Sequence, residues 1–258
     1  MLGAVAEMEI ITILTLLVLA FACEYVDSSL GMGYGTILSP LLIIKGIDPL
    51  LVIPSILISQ AMAGLSAALF HHRYENVDLR TSRRDLNIAL LISGVGVSAT
   101  VCGVLVALNI PISVLKTYIG VLVLVMGVII LTGKTFRFSW NRLIGVGALS
   151  AFNKSMSGGG FGPVVTCGQI VSGVEVKRSI AITTFTEAPI CIVSFLFYMV
   201  LGGGIEPLLP IVLTIGAMLA TPIGPKGTSI MNAKRALTAV GILTVTLGIF
   251  TLLKTYVL

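Results

Sequence analysis

The chain has 258 residues, 56% of them hydrophobic and only 10% charged. Its mean hydropathy is +1.08 and its pI is about 9.1. A soluble domain carries roughly 25% charged residues, so this chain cannot clothe itself in water, and nucleic-acid binding is excluded because its Lys and Arg sit in short loops between apolar runs.

The first apolar run, 10–27, follows Glu7 and Glu9 with no preceding Lys or Arg. A signal peptide wants a basic start, so the run reads as a retained helix. Next come 34–46, 50–70, 87–109 and 112–132, and then 142–156, 161–173, 178–200, 207–225 and 234–257. Runs of about 20 residues can span a bilayer as helices. The fold class is therefore an all-α polytopic membrane protein of about ten helical segments. The short alternating segments of a transmembrane barrel are missing from the sequence. The segments 34–46 and 161–173 would cover only about 20 Å of the core, so each begins inside the membrane, at its glycine turn.

Those two turns are copies of one another. Ser28, Ser29, Leu30, Gly31, Met32, Gly33, Tyr34 and Gly35 align without a gap on Ser155, Met156, Ser157, Gly158, Gly159, Gly160, Phe161 and Gly162, at a shift of 127 residues. A second echo sets Gly103, Gly120 and Gly127 on Gly224, Gly241 and Gly248 at a shift of 121. The division is into a first repeat, 1–135, and a second, 136–258, within one transmembrane unit. With the N-terminus outside and ten crossings, 12 of the 16 Lys and Arg fall inside, as the positive-inside rule asks. Five crossings per half make the repeat inverted and put both termini outside.

Paired breaks in inverted halves are a transporter pattern, with the site between the repeats. Glycine allows left-handed turns and close approach of the backbone. Each break opens a helix whose N–H groups and dipole favour an anion. The expected anion site is Ser28, Ser29, Gly31, Gly33, Tyr34 and Gly35 with Ser155, Ser157, Gly158, Gly159, Gly160, Phe161 and Gly162, the two helix starts aiming at one point. Close helix packing is the other use of such glycines. Lys154 adds a cation at the second break and either serves the site or snorkels outward. Its repeat partner is Asp27, which either pairs with Lys154 or caps the helix after Gly33. Gln60 corresponds to Glu187. Glu24, Asp27, Gln60 and Glu187 form the expected polar or proton-coupling path; a structural hydrogen-bonding role is open for the two glutamates. His71 and His72 read as interfacial, and no metal site or cofactor is expected. Cys23, Cys102, Cys167 and Cys191 read as small apolar residues.

The stretch Asp27–Pro40, with Asn153–Pro163 and the closing Gly224–Gly241 region, resembles the sulfite exporter TauE/SafE (TSUP) family. The resemblance covers essentially the whole chain. It implies a prokaryotic inner-membrane permease rather than an enzyme, acting on a small sulfur-containing anion such as sulfite, thiosulfate or an organosulfonate, with protons as a candidate co-substrate. The first break departs from the second in having Met32 where Gly159 stands. Rival classes are a proton-coupled carrier of a cation or other small solute, and a membrane thiol sulfurtransferase.

Overall fold

The computed structural model describes residues 10–77, 82–132, 140–171, 174–202, 205–228 and 233–256. These form helices α1 (Ile10–Leu30), α2 (Tyr34–Ile44), α3 (Pro49–Arg73), α4 (Arg83–Asn109), α5 (Ile112–Thr132), α6 (Trp140–Ser157), α7 (Phe161–Val171), α8 (Val176–Leu201), α9 (Leu208–Ala220), α10 (Gly224–Gly227) and α11 (Ala233–Tyr256). Among the described residues, five helices are long and apolar enough to cross a membrane: α1, α3, α4, α8 and the Ile112–Ile129 part of α5. All ten segments expected from the sequence are present, and α10 is an added turn after α9. The 135/136 division falls outside the described residues.

Local chemistry sets several helix starts. Asp48 caps α3 by accepting a 2.9 Å bond from the Leu50 amide, with Pro49 at the first position. There a missing N–H costs nothing. Ser82 caps α4 through the Asp85 amide. Both short helices instead begin at glycines with positive φ: Gly31 (70°) and Gly33 (139°) before α2, Gly158 (74°) and Gly160 (82°) before α7. L-residues with a side chain resist that region.

The packing is symmetric under exchange of α1–α5 with α6–α9 and α11. The α1/α9 contact maps onto α6/α4, α3/α9 onto α8/α4, and α2/α11 onto α7/α5. Equivalent helices that touch run antiparallel. In α3/α8, Leu50 and Pro54 lie near Tyr198 and Gly202, while Gly64 meets Thr184 and Ala188. In α5/α11, Gly120 faces Leu252 and Gly127 faces Val245. A two-fold axis across the helices produces this; an axis along them would leave equivalent helices parallel. The arrangement is an inverted repeat.

The helix directions sort the ends into two faces. One holds Arg73, Arg83, Arg84, Lys177, Arg178, Lys226, Lys234 and Arg235; the other holds Lys45, Lys116 and Lys254. α1 begins and α11 ends on the second, less basic face.

Candidate functional site

The two breaks meet at the centre of the molecule. A β-carbon on Gly35 would overlap the Gly158 carbonyl, and one on Gly162 would overlap the Gly31 carbonyl. The first turn of each short helix thus lies across the opposite break. Side chains stitch the crossing. Ser39 Oγ donates to the Ser157 carbonyl at 2.6 Å and Thr166 Oγ1 to the Gly31 carbonyl at 2.9 Å. Ser39 and Thr166 are themselves repeat equivalents.

This corrects the expectation of two helix starts converging on one empty point. The starts pass each other, and several break amides already have partners. Tyr34 N–H donates to Asp27 Oδ1 at 3.0 Å, Gly159 N–H to Ser157 Oγ at 3.1 Å, and Gly160 N–H to Thr36 Oγ1 at 3.2 Å. The serine hydroxyls also donate within the protein. Ser28 bonds the Glu24 carbonyl, Ser29 the Gly224 carbonyl, Ser155 the Ala151 and Phe152 carbonyls, and Ser157 the Asn153 and Gly159 carbonyls. Tyr34 and Phe161 are wholly buried. Tyr34 Oη bonds Ser59 Oγ, with a long 3.5 Å contact to the Leu213 carbonyl.

Charge gathers beside the crossing. Lys154 is 1% exposed, so it does not snorkel. Its Nζ lies 2.7 Å from Glu187 Oε1 and also donates to Gln60 Oε1. Gln60 Nε2 in turn donates to Asp27 Oδ2 at 3.0 Å. Asp27 therefore caps α2 and is joined to Lys154 through Gln60. The two residue pairs that correspond across the repeat, Asp27 with Lys154 and Gln60 with Glu187, form one buried chain. Glu24 is 1% exposed, its Oε2 has no hydrogen-bond partner, and it lies within electrostatic range of Asp27, Glu187 and Lys154. Three carboxyls thus share one ammonium. Removing charged groups from water costs several kcal/mol each, repaid only by close partners and hydrogen bonds. Cys23 and Cys191 are buried free thiols, while Cys102 is exposed. The Cys167 side chain lies outside the described residues.

His71 corrects another expectation: it is fully buried, whereas His72 is exposed. Past α3 the chain turns back through Glu75, at φ 58°, and folds Asn76 against the ring. Gly103 and Gly224, found in the sequence only as an echo, press on Ser155 and Ser28. Their shared shift of 121 was the one available signal for this pairing.

Comparison with known proteins agrees with the architecture. A 154-residue stretch is 27% identical to the probable membrane transporter protein YtnM of Bacillus subtilis (strain 168). The match covers 55% of this chain and 49% of that protein, so the chain spans about half the length of the curated relative it matches. No solved structure matches. The sequence profile for the sulfite exporter TauE/SafE proteins matches residues 16–251, which takes in both glycine breaks, Lys154, its buried partners and all but the edges of the bundle. The chain belongs to the sulfite exporter TauE/SafE family.

Proposed function

We propose that this chain is a secondary transporter of a small sulfur-containing anion, such as sulfite, thiosulfate or an organosulfonate, in a prokaryotic inner membrane. It works by alternating access, with repeats 1–135 and 136–258 rocking about the crossed breaks. The observation that carries the reading is Lys154, buried, ion-paired with Glu187 and linked through Gln60 to Asp27 at the first break. A charge at membrane depth marks a transport path.

In the conformation described, Glu187 and Gln60 occupy the ammonium. An incoming sulfite or sulfonate group takes the place of the Glu187 carboxylate on Lys154 once the breaks part. The break amides now held by Asp27 and Thr36 then turn to its oxygens. Glu187, released from Lys154, takes up a proton, so anion and proton cross together and little net charge enters the low-dielectric centre. Glu24 is the second proton acceptor on this path.

Purified protein in proteoliposomes tests the reading. Counterflow of labelled sulfite, thiosulfate or taurine is expected, and Lys154→Met abolishes it while insertion is retained. Full flux in Lys154→Met rules the assignment out. The excess of carboxyls over ammonium favours one second reading, a proton-coupled carrier of a cation. Competition by monovalent cations, with none by sulfonates, would select it.

A further inference from the structure

The inverted repeat places two matching seams on either side of the crossed breaks. On the less basic face, Gly103 of α4 presses on Ser155 of α6, and Tyr198 of α8 donates its hydroxyl to the Ser155 carbonyl at 2.9 Å. On the basic face, Gly224 of α10 presses on Ser28 of α1, and the His71 ring of α3 lies against the Ser28 main chain. Ser28 corresponds to Ser155 and His71 to Tyr198, both at the shift of 127 residues, and Gly103 to Gly224 at 121. Each seam therefore closes the stretch just before a glycine break, with the same three positions. They differ in one respect: a tyrosine locks one and a histidine the other.

The protonation state of that histidine follows from its neighbours. Asn76 Nδ2 lies 3.0 Å from the Pro225 carbonyl and 3.0 Å from His71 Nδ1. A proline carbonyl only accepts, so it fixes the Asn76 amide with its NH₂ towards both. His71 Nδ1 must then accept, which puts the ring proton on Nε2 in a neutral imidazole. Nε2 is buried and has no hydrogen-bond partner of good geometry. A second proton on Nδ1 would point N–H at N–H and break the Asn76 bridge that joins the end of α3 to α10.

We infer that His71 is a proton-binding site whose occupation releases the basic-face seam, while the Tyr198 seam opposite is indifferent to acid. The titratable groups on the elements around it are Tyr25 of α1, Lys226 of α10, and His72, Arg73 and Glu75 beside it in the chain. The neighbouring bonds from Tyr74 Oη to the Pro222 carbonyl (3.3 Å) and between Ser66 and Thr221 (2.8 Å) hold the same seam. Both can part as the α9–α10 end swings. The inference rests on the transporter reading for its purpose but not for its chemistry. It makes opening towards the basic face, the cytoplasmic one by the positive-inside rule, respond to protons there.

Spin-label distances test it without any substrate. Labels replace exposed His72 and Ile223 across the basic seam, or Asn109 and Val200 across the other, in protein lacking its native cysteines. Measurements in lipid nanodiscs at pH about 7.5 and about 4 reach below the ordinary histidine range, as a buried imidazole requires. The basic-face distance is expected to lengthen by a few ångströms on acidification, and the other to stay fixed. His71→Tyr, which copies the opposite seam, loses the acid response. Asn76→Asp also loses it, because a carboxylate cannot donate to the Pro225 carbonyl and leaves the seam parted at either pH. An acid response that survives in both variants, or none in the parent, overturns the inference. Failure of anion flux with the acid response intact would count against the transporter reading alone.

Discussion

Lys154 and Glu187 stand or fall together. Removing one leaves a buried, uncompensated charge, which typically costs about 3–5 kcal/mol. Lys154→Met is therefore expected to lower the melting temperature of the detergent-solubilised protein. Lys154→Met with Glu187→Leu should recover most of that loss while flux remains absent, because stability needs the charges matched and transport needs the ammonium. Thermal-shift and flux assays on the same preparations separate the two effects. Asp27, Gln60, Lys154 and Glu187 were legible in the sequence because the 127-residue shift aligns them in pairs. The cap that Asp27 gives Tyr34 was one of its two expected roles; that it also accepts from Gln60 was not foreseen. A carboxylate has two oxygens and several acceptor directions, and only the folded backbone decides where each points. The hydroxyls of Ser28, Ser29, Ser155 and Ser157 misled in the opposite sense. A serine in a helix readily donates to a carbonyl one turn back, as Ser28 and Ser157 do here, and is then no free donor for a ligand.

The elements are joined where glycine removes a side chain. α5 and α11 pack along Gly120, Gly127 and Gly248, where added β-carbons would meet Leu252, Val245 and the Leu124 main chain. Gly127→Leu or Gly248→Leu should overpack this seam, at about 1–3 kcal/mol. Because Gly127 and Gly248 face only the other helix of this seam, the expected result is a lower melting temperature with counterflow per folded molecule unchanged. The crossed breaks predict differently. Ser39→Ala and Thr166→Ala each remove one cross-break hydrogen bond, worth about 1 kcal/mol. They should alter flux more than stability, since these bonds must break for the breaks to separate. Gly35→Ala has no room against the Gly158 carbonyl, and its product should fail to accumulate in the membrane.

At the scale of the whole molecule, the inverted repeat predicts where each loop lies. Reporter tags inserted beside Glu75 and beside Glu206 should come out on opposite sides of the membrane, the Glu75 side cytoplasmic. Tags found together would refute the orientation read from the basic face. The ten helical segments were visible in the sequence because apolar length alone sets them. The burial of His71 was not, because it depends on a turn at Glu75 and on α10 arriving from about 150 residues further along. The centre of the fold is main chain meeting main chain, Gly35 on Gly158 and Gly162 on Gly31. Such a joint carries no side-chain identity, so under the proposed alternating access it would serve as a bearing blind to cargo. Variants at Lys154, which bonds Glu187 and Gln60 rather than the crossing, would then change which solute is carried and leave the rocking motion as it is.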